Sequence, residues 1–242
     1  MLSTNNLNFI AANPGNPTLL AWDDAETLFH EFGHALNTLA SNVAYPHLNS
    51  SVRDYVEFHS QLLEHWLLTD KVVNRFLLHY DTGQPMPPNL VNGLQQSRNF
   101  NQGFKTVEYL ACALLDMMYH TTDPTGIEPD KFEREALASL NMPREIVMRH
   151  RSPQFAHIFS GEGYSAGYYS YIWADVLTSD AAEAFAEAPG GFYDKELSAK
   201  LVKYQFAPHN AMDPLEAYRA FRGRDANVDA LLRDRGFQGA AH

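Results

Sequence analysis

The densest chemistry in this chain of 242 residues lies in five of them, His30-Glu31-Phe32-Gly33-His34. Residues four apart share one face of an α-helix, so His30 and His34 can each aim a ring nitrogen at a single ion. Glu31 projects beside them, where a carboxylate can hold an ion-bound water and take its proton. Three fixed residues also occur by chance on surface helices, so the setting decides. Here Leu28, Phe32, Ala35, Leu36 and Leu39 recur at helical spacing around the motif, behind Asp23 and Glu26 as a capping-box-like start. The pattern calls for one zinc per chain, and the same donors can hold manganese or cobalt.

A zinc site that does chemistry uses three protein ligands and keeps a fourth position open. A third histidine six residues past the second is excluded, because Asn37 and Ala40 stand where glycine and histidine would. A glutamate from the following helix remains. Glu57 lies there, next to the connecting loop, with Glu64 and His59 as competitors. Most such side chains simply face solvent. With His30, His34 and Glu57 as ligands, zinc lowers the pKa of its water toward ~7 and polarises a carbonyl. Glu31 then acts as general base and returns the proton to the leaving amine. The tetrahedral intermediate still needs donors for its oxyanion.

Tyr164, Tyr168 and Tyr171 fall at i, i+4 and i+7, which would put three phenols on one helical face with His157 in the loop before them. Aromatic stripes are more often core than catalytic. Phenols in a core still need hydrogen-bond partners, and Gly161-Glu162-Gly163 lets backbone approach closely. On pattern alone both readings stand.

The elements that must position these groups are mainly helical, with a small N-terminal β-hairpin predicted over residues 1–22. Leu7-Asn8-Phe9 alternates, Pro14-Gly15-Asn16-Pro17 is turn chemistry, and Thr18 to Trp22 is a short apolar run. Residues 23–70 read as a pair of metal-binding helices, the second from about Arg53 to Leu68 with Tyr55, Phe58, Leu62 and Trp66 on one side. Residues 71–242 read as a helical body with a Gly/Tyr block at 155–173. Helices are predicted near 89–98, 103–120 and 129–140, then a long one ending before Pro189-Gly190-Gly191. Asp213-Pro214-Leu215-Glu216 places an N-cap, proline at the first helical position and glutamate at the third. Gly236 closes the last helix.

Composition excludes several classes. Acidic residues number 29 against 18 basic, a net charge of −11, so the positive footprint that nucleic acid needs is missing. Cys112 is the only cysteine, which excludes an internal disulfide and a cysteine-rich zinc site. No apolar run approaches the ~18 residues that span a bilayer, and no signal peptide is visible. A cytoplasmic protein follows as the expectation.

The segment from Phe155 to Trp173, with its Ser160-Gly161-Glu162-Gly163-Tyr164 core, resembles the signature of the thimet oligopeptidase family, which includes oligopeptidase A and the bacterial peptidyl-dipeptidases. Its zinc motif H-E-F-G-H-A-L is matched by His30 to Leu36. Arg53 to Phe58 resembles the block ending in the family's glutamate ligand, and Asn99 to Phe104 is another similar stretch. The resemblance runs over most of the chain and is nearest the peptidyl-dipeptidase branch. It implies a zincin-type helical region, one zinc held by His30, His34 and Glu57, and a base at Glu31. It also implies transition-state donors at His157, Tyr164 and Tyr171, with Tyr168 a weaker candidate.

The implied activity is hydrolysis of short peptides, either internally or by removal of C-terminal dipeptides. Alternatives are an inactive fragment that binds zinc or peptide, and a helix-rich zinc carboxypeptidase that releases single residues. Removing dipeptides calls for a cation at the substrate carboxylate, and Arg149, Arg151 and Arg222 are candidates. The sequence departs from the family in three places. The loop between the zinc helices is about two residues shorter, His59 replaces proline, and Glu162 replaces glycine. The chain also corresponds only to the C-terminal catalytic portion of longer family members. Such a portion by itself would expose apolar surface and self-associate.

Overall fold

The computed structural model describes residues 2–237. Among these, eleven α-helices form and no sheet does; one isolated antiparallel bridge joins Leu78 and Pro85. In chain order the helices are α1 (Trp22–Leu39), α2 (Phe58–Glu64), α3 (Asp70–Phe76), α4 (Pro88–Arg98), α5 (Gln102–Thr121) and α6 (Pro129–Ser139). They continue as α7 (Ala156–Phe159), α8 (Ser170–Glu187), α9 (Lys195–Leu201), α10 (Pro214–Arg222) and α11 (Val228–Asp234). No helix among the described residues is long and apolar enough to cross a membrane.

The hairpin predicted over residues 1–22 does not form. Only a turn closes there, with the Asn16 N–H donating to Asn13 C=O at 3.0 Å. Leu2, Ile10, Leu19 and Leu20 are all exposed, so two strands would have no layer to pack on, and a lone hairpin is marginal in water. Trp22 enters α1 instead. The helix is capped at Ala21, whose N–H donates to Asp24 at 3.1 Å, two positions before the predicted Asp23 start. The predicted helix from Arg53 to Leu68 is also broken. A 3₁₀ turn covers Arg53–Tyr55 and α2 begins only at Phe58, so Glu57 stands at the N-cap position.

Contacts divide the chain into two compact units, Arg98–Trp173 and the remainder on either side of it. The larger unit is built around Tyr55, Phe58, Leu62, Leu177, Phe185, Phe206, Tyr218 and Phe221. Burying an aromatic or leucine side chain contributes roughly 1.5–3 kcal/mol, and several of these are fully enclosed. Asp180 is buried with them, and its charge is met by Tyr218 Oη at 2.6 Å, Arg224 at 2.6 Å and Arg222 at 3.4 Å. After α9 the chain widens into one π-helical turn, Val202–Phe206, which carries Gln205 and Phe206 inward. The N-cap at Asp213 forms as its sequence predicts, accepting from Leu215 and Glu216 N–H at 3.0 Å each.

The smaller unit packs α5, α6 and α7 around Ala111, Cys112, Leu115, Ala136, Phe155, Ile158 and Tyr168. Cys112 is buried, and burial pushes its thiol above the ordinary value, as an inert core cysteine requires.

Candidate metal centre and tyrosine cluster

Gly33 explains how α1 carries His30 and His34 to Glu57. A Cβ at that position would stand 2.5 Å from His59 C=O and 2.5 Å from Ser60 Cα, so α1 and α2 touch backbone to backbone there. Only glycine permits this approach. It brings the amino end of α2 against the face of α1 that holds both histidines.

His30 Nε2 and His34 Nε2 each lie 3.3 Å from the same oxygen, Glu57 Oε2. That is long for a hydrogen bond. It matches the separation of two atoms that bind one ion at ~2.0–2.1 Å in a tetrahedron, roughly 3.4 Å. The three donors all fall within 4.8 Å of one another, the one such group of histidine and acid side chains among the described residues. Glu57 is 1% exposed. A carboxylate that deep needs partners, and Ser60 Oγ at 3.0 Å supplies one beside the histidines. The residues present fit a zinc ion.

The two competitors do other things. Glu64 Oε1 is 2.7 Å from His30 Nδ1, a charge-assisted hydrogen bond on the far side of the ring that leaves Nε2 facing Glu57. Within the protein alone, burial works against charge on His30. The two carboxylates beside it, Glu57 and Glu64, outweigh it, and the ring's pKa rises from 6.5 to about 10. Glu64 is raised, first by burial, against the opposing pull of His30. His59 turns away and lies buried with Nε2 2.6 Å from Gln205 C=O. Its pKa falls to about 4, chiefly through burial. Glu31 on α1 is partly exposed and makes no hydrogen bond or ion pair among the described residues.

In the smaller unit the tyrosines do not lie on one helix. Tyr164 and Tyr168 lie outside any helix and only Tyr171 is in α8, because Ala166 takes a left-handed φ of 54° that no α-helix tolerates. His157 lies in α7 rather than a loop. The cluster assembles all the same. Tyr164 and Tyr171 stack at 5.5 Å and 12°, and His157 Nε2 approaches Tyr171 Oη at 3.3 Å. Tyr168 is 5% exposed, stacked on Tyr109 and edge-on to Phe155, and burial raises its phenol pKa. It is a core residue. Of the three arginines, Arg151 is tied to Glu133 at 2.6 Å and Arg222 to Glu187 at 3.1 Å and Asp180. Arg149 is exposed and has no carboxylate partner among the described residues.

The supporting side chains were not singled out from sequence. Ser60 has a signal, since it stands three residues beyond Glu57, in the first turn of α2. Asp116 has another: a lone acid within Leu114-Leu115-Asp116-Met117-Met118 must find partners if that run is buried.

The model of peptidase family M3, a family of metallopeptidases, matches residues 3–237. The chain is 40% identical over 228 residues to dipeptidyl carboxypeptidase of Salmonella typhimurium, covering 92% of this chain and 33% of that protein. To dipeptidyl carboxypeptidase of Escherichia coli it is 38% identical over 234 residues, covering 95% of this chain and 34% of that one. Oligopeptidase A of Escherichia coli is 31% identical over 244 residues, 96% of this chain and 34% of that protein. The chain thus spans about a third of the length of the curated relatives it matches. With a family model matched over nearly its whole length, this chain belongs to peptidase family M3.

Proposed function

We propose that this chain carries the metal centre of a peptidase that cuts short peptides, with removal of C-terminal dipeptides as the favoured mode. The observation that carries the reading is the pair of equal 3.3 Å separations from Glu57 Oε2 to His30 Nε2 and His34 Nε2. These three residues would hold one zinc. Bound there, zinc supplies a Lewis acid for the scissile carbonyl and acidifies a water. Glu31 takes the proton and delivers it to the leaving amine, a role suited to a carboxylate with no competing partner. His157, Tyr164 and Tyr171 are the proposed donors to the developing oxyanion. Preference for dipeptide removal rests on the relatives, since the two dipeptidyl carboxypeptidases are 40% and 38% identical and the Escherichia coli oligopeptidase A 31%.

The test pairs zinc content with turnover. Purified chain should hold about one zinc and cleave a short quenched peptide, with dipeptides among the products. Glu31→Gln should keep the zinc and lose cleavage by at least about 100-fold, within the range that general bases supply. Zinc binding without cleavage by the wild type would leave a metal-binding chain and end the peptidase reading.

A further inference from the structure

We propose that Asp116, assisted by Tyr109, is the positioning residue that sets the tyrosine segment for catalysis. The inference rests on the reading of Tyr164, Tyr171 and His157 as donors to the substrate. Asp116 lies in α5 and is completely buried. Both of its oxygens reach the same turn. Oδ1 accepts the Ala166 N–H at 2.9 Å and Oδ2 accepts the Tyr168 N–H at 2.9 Å. Tyr109 Oη donates to Tyr168 C=O, so the Tyr168 residue is held at its N–H and at its carbonyl. His120 Nδ1 meets Asp116 Oδ1 at 2.8 Å from the outer side. Residues 109, 116 and 120 are spaced seven and four apart, which places them on one face of α5.

This grip holds a backbone that would not hold itself. Ala166 is in the left-handed region at φ 54° without being glycine, a conformation that persists only when surrounding bonds fix it. From the pinned turn the chain runs directly to both phenols. Gly167 N–H donates to Tyr164 C=O at 2.9 Å, and Ser170 N–H donates to Gly167 C=O at 3.1 Å as α8 begins. Tyr171 follows at once and stacks on Tyr164. Releasing Asp116 therefore frees the turn between two rings whose separation decides whether both phenols reach one oxyanion.

The experiment compares wild type with Asp116→Asn, Tyr109→Phe, Tyr164→Phe, Tyr171→Phe and the double variant Asp116→Asn/Tyr171→Phe. It measures kcat, KM, zinc content and amide exchange over residues 161–171. Asparagine keeps the shape but turns an amide donor toward a backbone donor. Asp116→Asn should lower kcat about 10–100-fold, as a displacement near 1 Å does. KM should change by less than about threefold, zinc should stay bound, and exchange should quicken in 161–171. In the Tyr171→Phe background the same change should cost little more. Normal kcat in Asp116→Asn, or losses that multiply fully in the double variant, would overturn the inference while leaving the tyrosines' role intact. Full activity in Tyr164→Phe and Tyr171→Phe would instead overturn the underlying reading. If Asp116→Asn does not fold, Tyr109→Phe decides, with a smaller kcat loss in support and an unchanged kcat against. A wild type without turnover sinks both readings, and exchange over 161–171 then shows separately whether the clamp exists.

Discussion

His30 stands between two carboxylates, with Glu57 Oε2 at 3.3 Å from Nε2 and Glu64 Oε1 at 2.7 Å from Nδ1. The first distance is that of two ligands sharing an ion and the second that of a hydrogen bond, so the glutamates have separate parts. Their combined negative charge favours a proton on His30, whose pKa stands at about 10. It favours a divalent ion more strongly still, because the attraction grows with ion charge. Zinc binding at pH 7 should therefore displace a proton from His30, visible by calorimetry as a buffer-dependent heat. Glu64→Ala should weaken zinc about 10–100-fold and reduce that proton release, whereas Glu57→Ala should abolish tight binding. Equal losses in the two variants would mean that Glu64 is itself a ligand. At this scale the sequence was informative about residue type. His30, His34 and both glutamates were legible from spacing, and Glu57 was favoured by its place beside the connecting loop, but that Glu64 meets the far side of the His30 ring depends on the angle at which α2 meets α1. That angle is a tertiary quantity which no local pattern carries.

Elements bring the residues together through close contact. Glycine within a helix is ordinarily a weakness, and alanine in its place is worth about 1 kcal/mol. At Gly33 the sign should reverse, because the added methyl would meet the His59 and Ser60 backbone at 2.5 Å. Gly33→Ala should lower stability by about 1–3 kcal/mol in denaturant unfolding and weaken zinc at the same time. A stabilised variant would show that α1 and α2 do not meet as described. His59 joins α2 to the π-helical turn through its 2.6 Å contact with Gln205 C=O. Burial holds its pKa at about 4, with His209 and His34 adding to the effect and the Gln205 bond opposing it. The unfolded chain protonates this ring near pH 6.5, so its stability contribution is full above 6.5 and declines as pH falls through 4. Between pH 7.5 and pH 5 wild type should lose about 2 kcal/mol more than His59→Gln in matched urea melts. An identical pH profile for the two chains would mean that the ring is hydrated. Most helices were legible from periodicity and from punctuation such as Asp213-Pro214 and Gly236. The hairpin was misread because alternation over residues 7–9 says nothing about whether a packing layer exists. The tyrosine stripe was misread because helical spacing cannot reveal that Ala166 leaves the helix.

For the whole molecule, the division into two units had no sequence signal, because the boundary at 97 and 98 falls inside the continuous helix α4. At this scale α5 carries an apolar stripe that stays exposed. Phe104, Val107, Leu110, Leu114 and Met117 recur every three or four residues, and each is between 37% and 47% exposed. The buried residues Cys112, Leu115 and Asp116 use the opposite side of the helix. A run of apolar side chains of this kind marks a contact surface, and the expected contact is with another copy. The net charge of −11 opposes it. Salt separates the two effects, since the Debye length shrinks from about 10 Å at 0.1 M to about 3 Å at 1 M while burial of apolar surface is not screened. Sedimentation velocity should therefore find the chain least associated at low salt and increasingly associated as sodium chloride rises. Leu114→Glu, placed at the middle of the stripe, should restore the low-salt distribution. Association that weakens with salt would instead assign the contact to ion pairs, and Leu114→Glu would then leave it unchanged.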